Sequence, residues 1–203
     1  MQTLAIDGLL EPLRADPPRA AALLDIDGTL APIVRHPSDA NVPEGTRSLL
    51  IALAKRYGVV ACVSGRSAAV ARQMVAIGSI AYIGNHGCEL LRPGATEVIV
   101  DPRVARWTER IAAFADTVDT RELQQMRVRR EDKGAIVGFH WRGAPDEAGA
   151  VAAVATIEQA ALEQGFETHH GRKVLEIRPP VPIDKGRGVR WLLEDDPPAH
   201  GLY

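Results

Sequence analysis

Three short apolar runs, 20–24, 59–63 and 80–83, each break without transition into a polar loop. The loops are Asp25-Ile26-Asp27-Gly28-Thr29, Ser64-Gly65-Arg66 and Gly84-Asn85-His86-Gly87. Continuous rather than alternating apolarity marks strands buried on both faces. Between the runs, 43–57 carries Leu49, Leu50, Leu53 and Ala54 at helical spacing, with Pro43 and Glu44 suited to a first turn and Gly58 to a C-cap. Residues 67–76 read as a second amphipathic helix. Strand, loop and helix repeated in this way predict an α/β fold with a Rossmann-like, doubly wound parallel core and right-handed crossovers. Such sheets place their ligand sites outside the carboxyl ends of the strands, where these three loops lie.

After the turn signal Arg92-Pro93-Gly94 the alternation stops. Residues 102–118 read as a helix. Strands at 125–131 and 135–141 pair through Asp132-Lys133-Gly134, a long alanine-rich helix spans 146–164, and a strand covers 173–178. In that last strand Val174, Glu176 and Arg178 face opposite Leu175 and Ile177. This is a small α+β layer of its own, so an inserted domain is expected at 102–179, with the core formed by 20–101 and 180–203. A helix at 186–194 returns the chain to the core, and 195–203 reach a Pro-Pro turn and the approach to another strand. Residues 1–19 read as a helical appendage ended by Asp16-Pro17-Pro18.

With 24 basic and 26 acidic residues the formal charge is −2, so no global field favours nucleic acid or an anionic membrane. Cys62 and Cys88 sit in or beside apolar runs rather than in a spaced framework, which suits a reduced, intracellular protein. Asp7 and Glu11 interrupt the N-terminal segment, and no apolar stretch approaches the roughly 20 residues of a membrane helix. A cytoplasmic monomer is the expectation.

If strand geometry persists past 24, its period of two points Asp25 and Asp27 the same way and turns Ile26 to the core. Two carboxylates in one small volume call either for a divalent metal or for divided acid and base roles. A calcium loop fails twice, because Leu30 would stand at the turn glycine and His36 at the bidentate glutamate. Ser64-Gly65-Arg66 can cradle a phosphate oxygen with a hydroxyl and helix amides, although serine is also an ordinary N-cap. Lys185 opens a helix, where lysine opposes the macrodipole, so an anion is expected beside it. His86 is either a ligand contact or a backbone-satisfied histidine. His169-His170 are expected on an exposed turn, solvated rather than metal-bound. Glu131 and Lys133 flank a hairpin turn, and Glu176 and Arg178 share a strand face as a possible charge pair.

Taken in order, the motifs LLDIDGTLAPIV (23–34), VSGR (63–66), GNHG (84–87), EDKG (131–134), FHWRG (139–143), KVLEIRP (173–179) and DKG (184–186) resemble the trehalose-6-phosphate phosphatase family of the haloacid dehalogenase superfamily. The resemblance runs from about residue 20 to 203. It implies a Mg²⁺-dependent phosphatase with Asp25 as nucleophile, Asp27 as acid and base, and Mg²⁺ bound by the Asp25 carboxylate and the Asp27 carbonyl. Ser64 and Lys185 would hold the phosphate, aided by Thr29, Gly65 and Arg66. The inserted domain would be a cap closing over the sugar, with Glu131, Lys133 and Glu176 on its hydroxyls and Asn85, His86, His140 and Arg178 as further contacts. The family pattern has one more acidic motif, after the core strand that 201–203 approach. Without it the chain is expected to bind metal weakly and turn over poorly. The alternatives are a phosphatase for another sugar phosphate and a non-catalytic sugar-phosphate-binding module.

Overall fold

The computed structural model describes residues 6–34 and 39–203, so the first five residues of the expected N-terminal helix lie outside the described residues. The chain divides into two compact units, one of Met1–Val100 with Ile183–Tyr203 and one of Asp101–Pro182.

The first unit contains α1 (Ile6–Ala15), β1 (Ala20–Asp25), α2 (Glu44–Arg56), β2 (Val59–Val63), α3 (Ala68–Val75), β3 (Ala81–Gly84), β4 (Glu89–Leu91) and β5 (Ile99–Val100). After the second unit it resumes with α8 (Lys185–Leu193) and β10 (His200–Leu202). The sheet order is β10-β1-β2-β3-β4-β5. Strands β10, β1, β2 and β3 are parallel, while β4 and β5 extend the sheet antiparallel. That antiparallel edge was not expected from the sequence. The two faces of the parallel strands are filled by alternate residues. Ala22, Val60, Cys62, Ile80 and Tyr82 pack with Leu50 of α2 and with Ala71 and Val75 of α3. Ala21, Leu23, Ala61, Val63, Ala81 and Ile83 pack with Val189 and Leu192 of α8. Burial on both faces explains why the runs read as continuous apolarity. It also pushes the Cys62 thiol up to about 12.

Two local readings change. Helix α2 ends at a C-cap on Tyr57 in extended geometry, not on Gly58. Gly58 instead donates its N–H to the Pro17 carbonyl at 3.0 Å, in the tight turn 17–19 that follows α1.

The second unit contains α4 (Pro102–Ala105), α5 (Thr108–Val118), α6 (Arg121–Gln125), β6 (Arg129–Asp132), β7 (Val137–His140), α7 (Glu147–Glu163), β8 (Glu167–Gly171) and β9 (Val174–Arg178), with an antiparallel sheet in the order β6-β7-β9-β8. Val137, Phe139, Leu175 and Ile177 face Ile111, Phe114 and Ala115 of α5 and Val154, Ile157 and Ala161 of α7. The single helix expected over 102–118 is broken by a turn at Arg106–Trp107, which separates α4 from α5. The strand expected at 125–131 starts later, because Gln125 ends α6 and Arg127 turns the chain at a φ of 59°. His169 and His170 lie in β8, not on a turn, and the Nε2 of His170 is 2.8 Å from Oε1 of Glu158. No helix among the described residues is long and apolar enough to cross a membrane.

Helix α8 reaches the sheet because Gly188 carries no side chain. A Cβ there would stand 2.5 Å from Cγ2 of Ile83 and 2.6 Å from Cα of Gly87. The substitution Gly188→Ala is expected to destabilise the protein by about 1–3 kcal/mol through this overpacking. Urea unfolding of the variant against the parent measures it, and an unchanged midpoint would show that α8 has room to move.

Candidate active site

The register of the parallel strands decides where the loops gather. Asp25 lies beside Val63, and Val63 beside Ile83, so the segments after β1, β2 and β3 open on one edge of the sheet. Asp25 ends β1. Its Oδ1 accepts the Ile26 N–H at 2.8 Å, and its Oδ2 lies 2.9 Å from Nζ of Lys185. Lys185 is the first residue of α8, which Asp184 caps by accepting the Arg187 N–H at 2.8 Å. Burial alone would lower the Lys185 pKa. The hydrogen bond and charge of Asp25, with smaller contributions from Tyr203, outweigh it and raise the pKa above the ordinary value. The anion expected beside this lysine is therefore Asp25.

Past Asp25 the strand turns. Ile26 is fully buried and its carbonyl accepts from Leu30 at 3.0 Å and Ala31 at 2.9 Å. Asp27 has its own cation. Arg66 donates Nε to Oδ2 at 2.9 Å and Nη2 to Oδ1 at 2.8 Å, a bidentate fork that occupies both carboxylate oxygens. The two acids are thus each matched by a basic side chain. Thr29 is exposed in the same turn.

Ser64 is fully buried, and its Oγ accepts the Arg66 N–H at 3.1 Å. It is not the N-cap of α3. Ser67 caps that helix, accepting from Val70 at 3.3 Å. The first helix amide is also taken, since Ala68 donates to Oε2 of Glu89 at 2.7 Å. Two of the helix amides expected to cradle phosphate, those of Ala68 and Val70, are therefore already in use. His86 covers the loop, for a Cβ on Gly65 would fall 2.7 Å from Cε1 of the imidazole. Asn85 turns inward, only 2% exposed, with Nδ2 donating to Oε1 of Glu89 at 2.6 Å. Sequence reasoning missed Glu89 and the Arg66–Asp27 pair. An acid between Cys88 and Leu90 in an otherwise apolar stretch was the available signal for the first. The second left none, because a sequence does not state where a side chain points.

The second unit holds a separate charged cluster on the sheet face opposite its helices. The register aligns Glu131 with Gly138 and Gly138 with Glu176, and His140 and Arg178 lie on the same face, two residues to either side of that row. Glu176 is 6% exposed, with Oε1 at 3.1 Å from Nζ of Lys133 and Oε2 at 2.5 Å from Nη2 of Arg178. Burial would raise its pKa, but the two cations hold the carboxyl below its ordinary value. Glu131 accepts from His140 at 2.7 Å and lies 3.3 Å from Lys133. The expected pair Glu176–Arg178 is thus part of a group of five residues, and Lys133 is largely buried rather than a surface charge.

The family model for trehalose-phosphatase matches residues 23–201. The chain belongs to the trehalose-phosphatase family. It is 34% identical over 202 residues to a trehalose-phosphate phosphatase of Mycobacterium marinum, covering 95% of this chain and 49% of that protein. It is also 34% identical over 186 residues to an uncharacterized glycosyl hydrolase of Mycobacterium tuberculosis, covering 89% of this chain and 13% of that protein. It therefore spans at most about half the length of these family relatives. Among solved structures, the C-terminal domain of trehalose-6-phosphate phosphatase from C. albicans has a TM-score of 0.74 at 22% identity, covering 98% of this chain and 73% of that one. A trehalose-6-phosphate phosphatase related protein has a TM-score of 0.69 at 24% identity, covering 86% and 74%. These structures share the α/β fold that the strand pattern predicted, in the haloacid dehalogenase-like form that the motif resemblance implied.

The charged cluster makes a pH-dependent prediction. Hydrogen bonding to His140, opposed by burial and supported by Lys133, holds the Glu131 carboxyl at about 2, against an ordinary 4.5. A depressed folded pKa contributes stability that is complete above the unfolded value and is lost as pH falls through the folded one. The difference in melting temperature between the parent and Glu131→Gln is therefore expected to be constant above pH 4.5 and to shrink toward pH 2. Its size is reduced by solvent, since the Glu131 side chain is 50% exposed. A difference that does not vary across this window would remove the charge from the argument.

Proposed function

We propose that the protein hydrolyses trehalose 6-phosphate to trehalose and phosphate, through an aspartyl phosphate on Asp25. The observation that carries the reading is the Asp25–Lys185 pair at 2.9 Å, on the carboxyl edge of a parallel sheet in a chain that matches the trehalose-phosphatase family. An anionic carboxylate held by a lysine is an oxygen nucleophile with a cation already placed to receive the phosphate's negative charge.

Asp25 attacks phosphorus, and the bond from phosphorus to the sugar oxygen breaks. Asp27 gives that oxygen its proton, then removes one from the water that cleaves the acyl phosphate, releasing phosphate and restoring Asp25. Both Asp27 oxygens accept from Arg66, so the transferred proton uses a lone pair that the guanidinium leaves open. Lys185 follows the phosphate oxygens, and Ser64 holds one through its hydroxyl hydrogen, which is not used within the loop. The donor chemistry at Asp25 fits Mg²⁺, which takes hard oxygen ligands from one or two carboxylates together with phosphate and water. Among the described residues no group of three or more potential side-chain ligands gathers. The Asp25 carboxylate with the Asp27 main-chain carbonyl is the set that would hold the ion. When bound, it would neutralise charge on the phosphate.

Glu131, Lys133, His140, Glu176 and Arg178 are proposed to contact the disaccharide. Sugar hydroxyls both donate and accept, and this group presents both functions in one place. It is the feature that favours a sugar phosphate over a small acyl or aryl phosphate.

Phosphate release from trehalose 6-phosphate with Mg²⁺ tests the reading. Asp25→Asn is expected to lower kcat by about a thousandfold or more, and Lys185→Met by about a hundredfold. Full activity after chelation, or equal rates on sucrose 6-phosphate, would sink the cofactor or the substrate assignment respectively. Tight binding of trehalose 6-phosphate with no turnover would identify a binding module instead.

A further inference from the structure

Glu89 opens β4 and has no basic partner among the described residues. Its two oxygens are shared by two neutral donors, the Ala68 N–H at 2.7 Å and Nδ2 of Asn85 at 2.6 Å. Burial pushes its carboxyl above the ordinary value, and these hydrogen bonds only partly offset the shift. A part-buried carboxylate without a cation costs stability. In α3 the Ser67 side chain caps the Val70 N–H, so Glu89 serves the Ala68 N–H alone.

What the carboxylate does hold is a strained turn. Asn85 and His86 both adopt left-handed backbone, with φ of 46° and 57°. From that turn, Asn85 N–H donates to the Arg66 carbonyl at 2.7 Å and His86 N–H to the Ser64 carbonyl at 3.1 Å. The segment 64–66 is therefore tied on one side to the turn and continues on the other into α3. Glu89 binds both sides at once, through the side chain of Asn85 and the first amide of α3.

We propose that Glu89 is a positioning residue for phosphoryl transfer: it fixes the 64–66 loop from both ends and so sets where the Ser64 hydroxyl and the Arg66 guanidinium stand relative to Asp27. The proposal rests on the phosphatase reading given above. It also accounts for the helix amide that a phosphate would otherwise seek. The resident carboxylate occupies the first amide of α3, so that amide is not open to an incoming phosphate, for which the side chains of Lys185 and Ser64 remain.

The test exchanges donor and acceptor. In Glu89→Gln the Asn85 carboxamide must turn over to meet the new amide nitrogen with its oxygen, and in Asn85→Asp two carboxylates face each other. In the double variant E89Q/N85D the glutamine donates and the aspartate accepts, while the glutamine oxygen still serves Ala68. Aspartate tolerates the left-handed backbone as asparagine does. Each single variant is expected to lose about tenfold or more in kcat/KM, and the double variant to recover to within about threefold of the parent. Activity is read with both trehalose 6-phosphate and p-nitrophenyl phosphate, so a wrong sugar does not hide the effect. Inorganic phosphate binding is read separately from the amide resonances of Ser64, Gly65 and Arg66, with melting temperature as the check on folding. Glu89→Gln is expected to weaken the phosphate-induced shifts without lowering the melting temperature. If the parent hydrolyses neither ester, the phosphatase reading falls, and loss of the shifts in the single variants with recovery in the double one still supports the positioning role. Single variants within twofold of the parent in rate and phosphate binding, or a double variant no better than the worse single, overturn it.

Discussion

The ion pair between Asp25 and Lys185 joins two parts of the chain that the second unit separates. Asp25 is the last residue of β1 and Lys185 the first of α8, and Nζ stands 2.9 Å from Oδ2. A lysine in the first turn of a helix opposes the macrodipole, and here the Asp25 carboxylate and the capping Asp184 offset it. The pair forms only if α8 packs on the face of the sheet that Ala21, Val63 and Ile83 fill. That packing in turn needs Gly188 against Gly87 and Ile83. The chemistry at Asp25 therefore depends on a helix–sheet contact whose tolerance is less than one methyl group.

Around this pair the charges are divided rather than pooled. Asp25 has Lys185 and Asp27 has Arg66, so the repulsion that two neighbouring acids create is relieved by the chain's own cations. The two arrangements differ in what they permit. The lysine is a point charge that can follow an oxygen through several positions, while the guanidinium fork specifies one orientation of the carboxylate. The proposed roles follow this division, a nucleophile at Asp25 and an aimed proton carrier at Asp27.

The strands β1, β2 and β3 were legible because both faces of each are buried, which leaves an uninterrupted apolar run and an abrupt polar end. β4 and β5 were not, since three residues and two residues give no period to read, and both residues of β5 are exposed. β8 was hidden for a different reason. As the edge strand of its sheet, Glu167-Thr168-His169-His170-Gly171 is polar throughout and reads as a turn. Among the charged residues, Asp25 and Lys185 stood out by position, one at a strand end and one at a helix start. Glu89 did not, because what distinguishes it is the pair of donors that folding brings from α3 and from the turn at Asn85.

Three glutamates show how the same side chain is tuned by its partners alone. Glu89 and Glu176 are both withdrawn from solvent, yet the first is pushed up and the second held down. Glu89 meets an amide and a carboxamide, which supply hydrogen bonds but no charge to replace lost hydration. Glu176 meets Lys133 and Arg178, whose charges more than replace it. Glu131, half exposed, is also held down, at about 2, by His140 and Lys133. The consequence is a difference in exchangeability. Neutral donors committed to a buried carboxylate cannot leave without stranding it, so Glu89 serves as a fixed brace. Lys133 bridges two carboxylates and can turn a hydrogen toward a hydroxyl while each acid keeps another partner. The group around Glu176 can therefore receive a polyhydroxyl ligand without leaving a charge unpaired, which the site around Glu89 cannot do.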